Sequence, residues 1–201
     1  ALILKTASGS PSCMDRDSIL KKIADIRMSV NSNDLPNIYL LHGDFTNEEM
    51  NSLYNHSKVK AMVSLTKGEG FGRPLLEFSL TQKPILTTNW SGHTDFLNPE
   101  FTTMMSGNLT KVHQSAVIKN MILPEADWFS VNNAEVGHYL KDMFENPKKY
   151  IDGAKRQAYH SKTNFSWEMM KDKLDEILSN NVPNFSTPVE LKLPTLNLPT
   201  L

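Results

Sequence analysis

The sequence predicts an α/β fold built on a doubly wound parallel sheet with helices on both faces. Short apolar runs typical of buried strands alternate four times with stretches whose apolar residues recur at helical spacing. The connections between these stretches are short, and such an alternation favours a parallel sheet covered by helices. We therefore expect one domain over residues 1–180 and a separate tail over residues 181–201.

The first two strand and helix units are predicted within residues 1–54. Residues 1–4 form an apolar run that ends before the turn formers of residues 8–11, and Asp15 and Asp17 then open a helical face that extends to residue 30. Residues 37–41 (NIYLL) predict the second strand. Thr46 and Glu49 have the spacing of a capping box, which predicts that the second helix begins there.

The third and fourth units lie on either side of a glycine-rich loop. Residues 60–65 (KAMVSL) predict the third strand, and the loop of residues 67–72 follows it. Pro74 then opens a helix that we expect to end near Thr81, because the first helical turn tolerates a residue without an N–H. Residues 85–88 predict the fourth strand, which leads into a turn and a short helix near residues 93–97.

The remaining sequence predicts mainly helices. Within the ambiguous stretch of residues 101–127, residues 116–123 are a strand candidate. Helices are expected over residues 132–145 and 147–164, and Ser166 is placed to cap a last one. The final residues are rich in Pro and contain Leu-Pro-Thr-Leu twice, so we expect an extended tail that packs on a neighbouring surface or hangs free.

Composition and charge argue against several classes of function. The formal net charge is -1 and no run of Lys and Arg is dense enough to follow a phosphate backbone, so nucleic acid is not the expected partner. The single Cys13 cannot form an internal disulfide, and the six histidines lack the spacing of a metal cluster. No apolar run approaches the roughly 20 residues that span a bilayer. We therefore expect no metal site, no transmembrane segment and a cytoplasmic location.

The residues with chemical potential are concentrated between positions 63 and 97. Glu69 lies on the glycine loop at the end of a strand, and Glu77 follows one turn into the next helix. In a doubly wound domain, ligands bind beyond the carboxyl ends of the strands, so both carboxylates would face one crevice. Gly70 and Gly72 let the backbone approach a ligand, or serve only to turn the chain. A carboxylate accepts two hydrogen bonds from a vicinal diol, so Glu77 suits the hydroxyls of a ribose.

The sequence Glu69-Gly-Phe-Gly-Arg-Pro-Leu-Leu-Glu77 resembles the Glu-Gly-Phe-Gly-x-Pro-x-x-Glu motif of the family 4 retaining glycosyltransferases. Those enzymes have the GT-B architecture of two Rossmann-like domains. The likeness continues in residues 38–54 (the strand, turn and "EE...LY" helix), in residues 83–97 (the "G-x-P-V-I-A-T" strand and the glycine turn) and in residues 165–167 (an aromatic motif). It implies that most of residues 1–180 form the Rossmann-like, donor-binding C-terminal half of such an enzyme.

The resemblance implies a role for each position of the site. Glu77 would bind the ribose hydroxyls of a UDP- or GDP-sugar, and Glu69 would contact hydroxyls of the transferred sugar. Arg73 is left open between a contact to phosphate or to an acid and a surface role, and His93 between a donor contact and a helix cap. The other implied donor contacts, made by the base loop, the glycine loop and the turn after the fourth strand, are Gly43, Phe45, Gly70, Phe71, Gly72, Ser91 and Gly92.

The implied reaction transfers a hexose to an acceptor hydroxyl with retention, without a metal or other cofactor. Its main demand is stabilisation of the charge that develops on the leaving diphosphate. The basic side chains that the family uses for this lie upstream of Ala1, which leaves Lys5 and Lys67 as the nearest local candidates. The missing N-terminal domain would bind the glycan or other hydroxyl acceptor. Peripheral attachment of the full-length enzyme to a membrane stays open.

Two alternatives belong to other functional classes. The chain could be a catalytically silent module that binds sugar nucleotides or glycans, since the upstream segment is missing. A related GT-B enzyme, a nucleotide-sugar epimerase, would interconvert UDP-sugars without an acceptor.

Overall fold

The computed structural model describes residues 1–6 and 12–183 and shows an α/β protein whose sheets are mostly parallel. The chain divides into two compact units, Ala1–Lys60 and Ala61–Leu201. The predicted turn at residues 8–11 lies outside the described residues, and so does the predicted tail from residue 184 onward. A single domain over residues 1–180 stays a prediction.

The first unit contains a parallel pair of strands and two helices. The elements in chain order are β1 (Leu2–Lys5), α1 (Cys13–Ser29), β2 (Ile38–Leu41) and α2 (Asn47–Asn55). Lys5 lies opposite Leu41 in the register, so the carboxyl ends of both strands meet at one edge. The capping box predicted for α2 is present, because the Thr46 side chain accepts from the Glu49 N–H while the Glu49 carboxylate accepts from the Thr46 N–H.

Within residues 61–183, the second unit contains a parallel three-stranded sheet, an antiparallel pair of strands and four α-helices. Its elements are β3 (Met62–Ser64), α3 (Arg73–Ser79), β4 (Ile85–Thr88), β5 (Thr103–Met105), β6 (Gly107–Lys111), β7 (Asp127–Val131), α4 (Asn133–Glu145), α5 (Lys148–Asn164) and α6 (Trp167–Asn181). The parallel sheet has the order β3-β4-β5, and β6 pairs with β7 in antiparallel fashion. Ser166 caps α6 as predicted, since its side chain accepts from the Met169 N–H.

The strand predicted within residues 101–127 was wrong. Residues 116–123 are not a strand: the structure has a single 3-10 turn at Gln114–Ala116 and one isolated bridge between Ile118 and Ile122. The strands of this region are β5 and β6 instead, and β7 follows them. β6 (GNLTK) is mostly exposed and has no apolar periodicity, so it is held by its ladder with β7 rather than by burial. The short helix expected near residues 93–97 is a 3-10 turn at Gly92–Asp95.

The core of the second unit surrounds β4. All four residues of this strand are buried, as expected for the central strand of a parallel sheet that is covered on both faces. Leu86 of β4 packs with Met105 of β5 and with Val136 and Met143 of α4. The turn that follows β4 therefore begins at the end of a fully buried strand.

A buried polar network on α5 fixes the elements that flank the glycine loop. Gln157 is 2% exposed; its side-chain N–H donates to the Phe96 carbonyl at 2.8 Å and its carbonyl accepts from the Asn98 N–H at 2.8 Å. One turn further, Ser161 is bonded to Ser79 of α3 with 2.8 Å between the hydroxyl oxygens. Helix α5 thus positions both α3 and the segment after the Gly92–Asp95 turn.

Candidate functional site

The glycine loop after β3 and the turn after β4 are bonded to each other at the carboxyl ends of two neighbouring parallel strands. The Ser91 hydroxyl donates to the Glu69 carbonyl at 2.6 Å and accepts from the Glu69 N–H at 3.0 Å. The Gly92 N–H donates to the same carbonyl at 2.9 Å. The structure therefore brings together the two segments that the sequence analysis assigned to one site.

Two glycines make this contact possible. A Cβ atom on Gly92 would lie 2.0 Å from the Gly70 carbonyl oxygen, so no other residue fits at that position without a shift of the backbone. Gly72 has a φ of +89°, in the left-handed region that favours glycine, and its carbonyl accepts from the N–H groups of Leu75 and Leu76 at the start of α3. Gly72 and Gly92 therefore set the path of the loop and the turn, and whether Gly70 and Gly72 also approach a ligand stays a prediction.

Helix α3 begins at Arg73, one residue before the predicted start, and carries Glu77 on its second turn. The Arg73 Nε donates to Glu77 Oε1 at 2.8 Å, and 39% of the Glu77 side chain is exposed. Exposed pairs of this spacing contribute only about 0.3–0.5 kcal/mol, so a ligand hydroxyl can compete for this carboxylate. Of the contacts left open for Arg73, the structure shows the one to an acid, as an ion pair within the helix.

His93 is fully buried beneath the turn. Its Nε2 lies 2.6 Å from the Thr88 carbonyl oxygen, which can only accept, so Nε2 carries the proton. Nδ1 of His93 and Oγ1 of Thr88 are buried without a hydrogen-bond partner among the described residues. The His93 ring thus supports the turn from inside, and only its backbone is placed to meet a ligand.

The glycine loop and the turn after β4 both contact β7. The Lys67 carbonyl accepts from the Phe129 N–H at 3.3 Å, and its ammonium lies 3.5 Å from the Ser130 hydroxyl. Trp90, in the turn after β4, stacks on Phe129 with 5.5 Å between ring centroids and 4° between planes. The sequence analysis missed this aromatic pair, because the strand that carries Phe129 was itself not predicted.

Phe71 of the glycine loop is partly exposed, and its ring contacts a buried ring of the core. Its ring centroid lies 5.2 Å from that of Phe96, which is 1% exposed. The contact holds the loop against the segment that follows the Gly92–Asp95 turn.

In the first unit, the structure brings together three further residues of the predicted site. The Lys5 ammonium donates to the Gly43 carbonyl at 2.9 Å and lies 5.2 Å from the centroid of the Phe45 ring. All three residues lie at the carboxyl ends of β1 and β2, where the strand register places them side by side. Lys5 therefore contacts the loop to which the resemblance assigns the nucleobase of the donor.

The same edge of the first unit contains a pair that sequence reasoning missed. His42 follows β2, and its Nε2 lies 2.8 Å from Oδ2 of Asp15 in the first turn of α1. The two side chains are only 11% and 12% exposed. No spacing rule connects residues 27 positions apart, so only the parallel pairing of β1 and β2 reveals the contact.

A cavity of about 780 Å³ lies at the opposite end of the parallel sheet in the second unit. It is lined by the amino ends of β4 and β5 and by polar residues of α5, among them Lys149, Tyr150 and Arg156. A smaller cavity of about 310 Å³ lies within the first unit, between α1 and β2. Glu69 and Glu77 line neither of these cavities. The predicted site is instead built from the glycine loop, the turn after β4 and α3.

Charged groups at the edge of the larger cavity neutralise one another. The Lys149 ammonium donates to Asp142 at 2.6 Å, and the Tyr150 hydroxyl also donates to this carboxylate. These two bonds, followed by one from Asn146, hold the pKa of Asp142 well below its usual range. Burial, and then the bond to Asp142, raises the pKa of Tyr150. The cluster is a closed ion pair rather than a site with spare charge.

Within residues 1–6 and 12–183, the structure contains no group of three or more His, Cys, Asp or Glu side chains that could hold a metal ion. Among the helices in this part of the chain, none is long and apolar enough to cross a membrane.

Compared with known proteins, the chain matches no protein-family model and no curated protein. Membership of the glycosyltransferase family therefore stays a prediction, which rests on the motif of residues 69–77 and the segments around it.

Proposed function

We propose that the chain is the donor-binding half of a retaining glycosyltransferase with GT-B architecture, and that it holds a UDP- or GDP-sugar at the carboxyl ends of β3 and β4. The observation that carries this proposal is the double hydrogen bond between Ser91 and the backbone of Glu69. It joins the two motif segments into one surface at the end of a parallel sheet where ligands of α/β proteins usually bind.

Glu77 is the proposed ribose clamp. Its carboxylate has about four lone-pair sites, of which one is occupied by Arg73, so it can still accept from both hydroxyls of a ribose. Helix α3 is short but firmly seated, since Leu75 and Phe78 are buried and Ser79 is bonded to α5. The carboxylate is therefore presented by a fixed element, as a binding group should be.

Glu69 is proposed to hold hydroxyls of the transferred sugar. Its backbone is tied on both sides by the turn, while its side chain is half-buried beside the glycine loop. As the bond to the diphosphate breaks, negative charge gathers on the leaving oxygens, and donors already in place stabilise it. Lys67 is the local candidate, because its ammonium has three donors and a single distant contact to Ser130.

The proposed enzyme would also need an acceptor-binding domain, which would hold the hydroxyl of a glycan or a similar acceptor and provide further basic side chains. We propose that it acts in the cytoplasm. Restoring such a segment and measuring transfer of hexose would separate a transferase from a silent binding module.

Calorimetric titration with UDP, GDP and ADP tests the clamp in the chain as it exists. We expect one nucleotide to bind, and Glu77→Ala to weaken it about 10- to 100-fold, the effect of losing hydrogen bonds to a charged group. Glu145→Ala is the matched control, because it also removes an exposed pair at the same spacing, with Lys141. Nucleotide binding that survives Glu77→Ala would refute the ribose clamp.

A further inference from the structure

The exposed tryptophan of the turn suggests how the sugar itself is recognised. We propose that Trp90 is a stacking platform for the pyranose ring of the bound nucleotide sugar, with the hydroxyls of that ring directed to Glu69. This inference rests on the proposed function and adds to it the residue that distinguishes a sugar nucleotide from a bare nucleotide.

One face of the Trp90 ring is covered, while much of the residue is exposed. Its covered face lies on Phe129, whose ring is nearly parallel and which is itself only 6% exposed. Forty per cent of the Trp90 surface is nevertheless exposed. The ring is thus held in a fixed orientation before any ligand arrives, which reduces the entropy lost on binding.

Trp90 lies in the turn that is bonded to the backbone of Glu69, the residue proposed to bind sugar hydroxyls. Trp90 directly precedes Ser91, whose hydroxyl is bonded to both backbone groups of Glu69. Phe129, which supports the indole, donates its N–H to the carbonyl of Lys67 in the same loop. These hydrogen bonds therefore fix the backbone of the turn that carries Trp90 relative to the backbone of Glu69.

A pyranose ring needs two kinds of surface, and this corner of the molecule offers both. One face of the ring is made of C–H groups and fits a flat aromatic system, whereas the rim carries hydroxyls that require acceptors. Trp90 supplies the flat surface and Glu69 the acceptor. A nucleobase would fit the aromatic surface as well, so the experiment must separate the two.

The test compares nucleotides with and without a sugar on three variants. Calorimetry with UDP, UDP-glucose, GDP and GDP-mannose is carried out on the wild type, Trp90→Ala and Trp90→Phe. We expect Trp90→Ala to raise the Kd of the bound nucleotide sugar about 10-fold and to leave that of the bare nucleotide unchanged. Trp90→Phe keeps a ring on Phe129 and should lose much less. Trp167→Ala, a change at a tryptophan that is 80% exposed on α6, is the matched control.

Each other outcome counts against a stated claim. Equal affinity of Trp90→Ala and the wild type for the nucleotide sugar would refute the platform alone. An equal loss for the bare nucleotide would place the base on the ring and refute the pyranose assignment. If no nucleotide and no nucleotide sugar binds the wild type, the proposed function is wrong and the platform with it. If Trp90→Ala does not fold, Trp90→Leu takes its place, because leucine keeps an apolar side chain over Phe129 but offers no flat ring, and the same outcomes apply to it.

Discussion

The two ends of the β3-β4-β5 sheet differ in what they offer a ligand: one has a cavity, and the other has a hydrogen-bonded loop and turn. At the amino end, an open cavity of about 780 Å³ is lined by charged side chains, and Lys149 at its edge is neutralised by Asp142. At the carboxyl end, the backbone of Glu69 is fixed from the turn by three hydrogen bonds. Cavity size alone would select the amino end. The preorganised polar surface, together with the motif, favours the carboxyl end.

The largest expected effect comes from adding one methyl group at the carboxyl end. In Gly92→Ala the new Cβ would overlap the Gly70 carbonyl oxygen at 2.0 Å, so the loop and the turn must separate. We expect nucleotide binding to fall at least about 100-fold, which corresponds to about 2.8 kcal/mol. Gly68→Ala is the control, because a Cβ there has nothing within 4 Å. Calorimetry that finds normal affinity in Gly92→Ala would show that this close approach is unimportant.

A second substitution tests the helix that supports both ends. Gln157→Leu removes the partners of the Phe96 carbonyl and the Asn98 N–H and leaves these buried groups unsatisfied. We expect it to lower the free energy of unfolding by about 2–4 kcal/mol, measured by urea denaturation. A loss below about 0.5 kcal/mol would contradict the account of α5 as the element that positions α3 and the turn.

A third substitution concerns the charged cluster at the amino end. The pKa of Asp142 is lowered by its bonds to Lys149 and Tyr150, so its contribution to stability is present above the ordinary carboxyl pKa and is lost as the pH falls below about 4. The same contact raises the pKa of Lys149, so that contribution is lost again above about pH 10.5.

Asp142→Asn should therefore lower the Tm by a few degrees at pH 7 and flatten the fall of the Tm in acid. Asp175→Asn, which removes an exposed pair with Lys171, is expected to change little. Thermal scans from pH 2 to pH 8 make the comparison. Parallel acid profiles of the wild type and Asp142→Asn would contradict the role assigned to this cluster.

The smallest expected effect is at the cavity itself. Arg156 lines it and lies over the Phe101 ring, with 5.5 Å between the guanidinium carbon and the ring centroid. If ligands bind at the carboxyl end, Arg156→Ala should leave the nucleotide Kd within about 2-fold of the wild type, a change of about 0.4 kcal/mol. A loss of 10-fold or more would move the site to the amino end of the sheet.

The sequence predicted the carboxyl end of the sheet better than the amino end because its signals are local. The apolar run of β4 matches residues 85–88, and the loop of residues 67–72 follows its strand directly. The strand, the glycine loop and Pro74 all lie within residues 60–74, so composition and spacing along the chain suffice to reveal the pattern.

The features that sequence reasoning missed depend on contacts between distant residues. The Trp90 and Phe129 stack needs β7, and the partner strand of β7 is β6, which is mostly exposed and has no apolar periodicity. The cavity combines residues near positions 84, 100 and 150, and the His42 and Asp15 pair depends on the pairing of β1 with β2. No window along the chain contains such information.

Mapping a bound nucleotide by NMR tests the central claim most directly. The amide resonances of the labelled chain are followed during titration with the nucleotide that calorimetry identifies. We predict that the shifts concentrate in residues 67–77 and 90–95, on the glycine loop, α3 and the turn. Shifts that concentrate instead in residues 99–104 and 149–156 would place the ligand at the amino end of the sheet and contradict the proposed site.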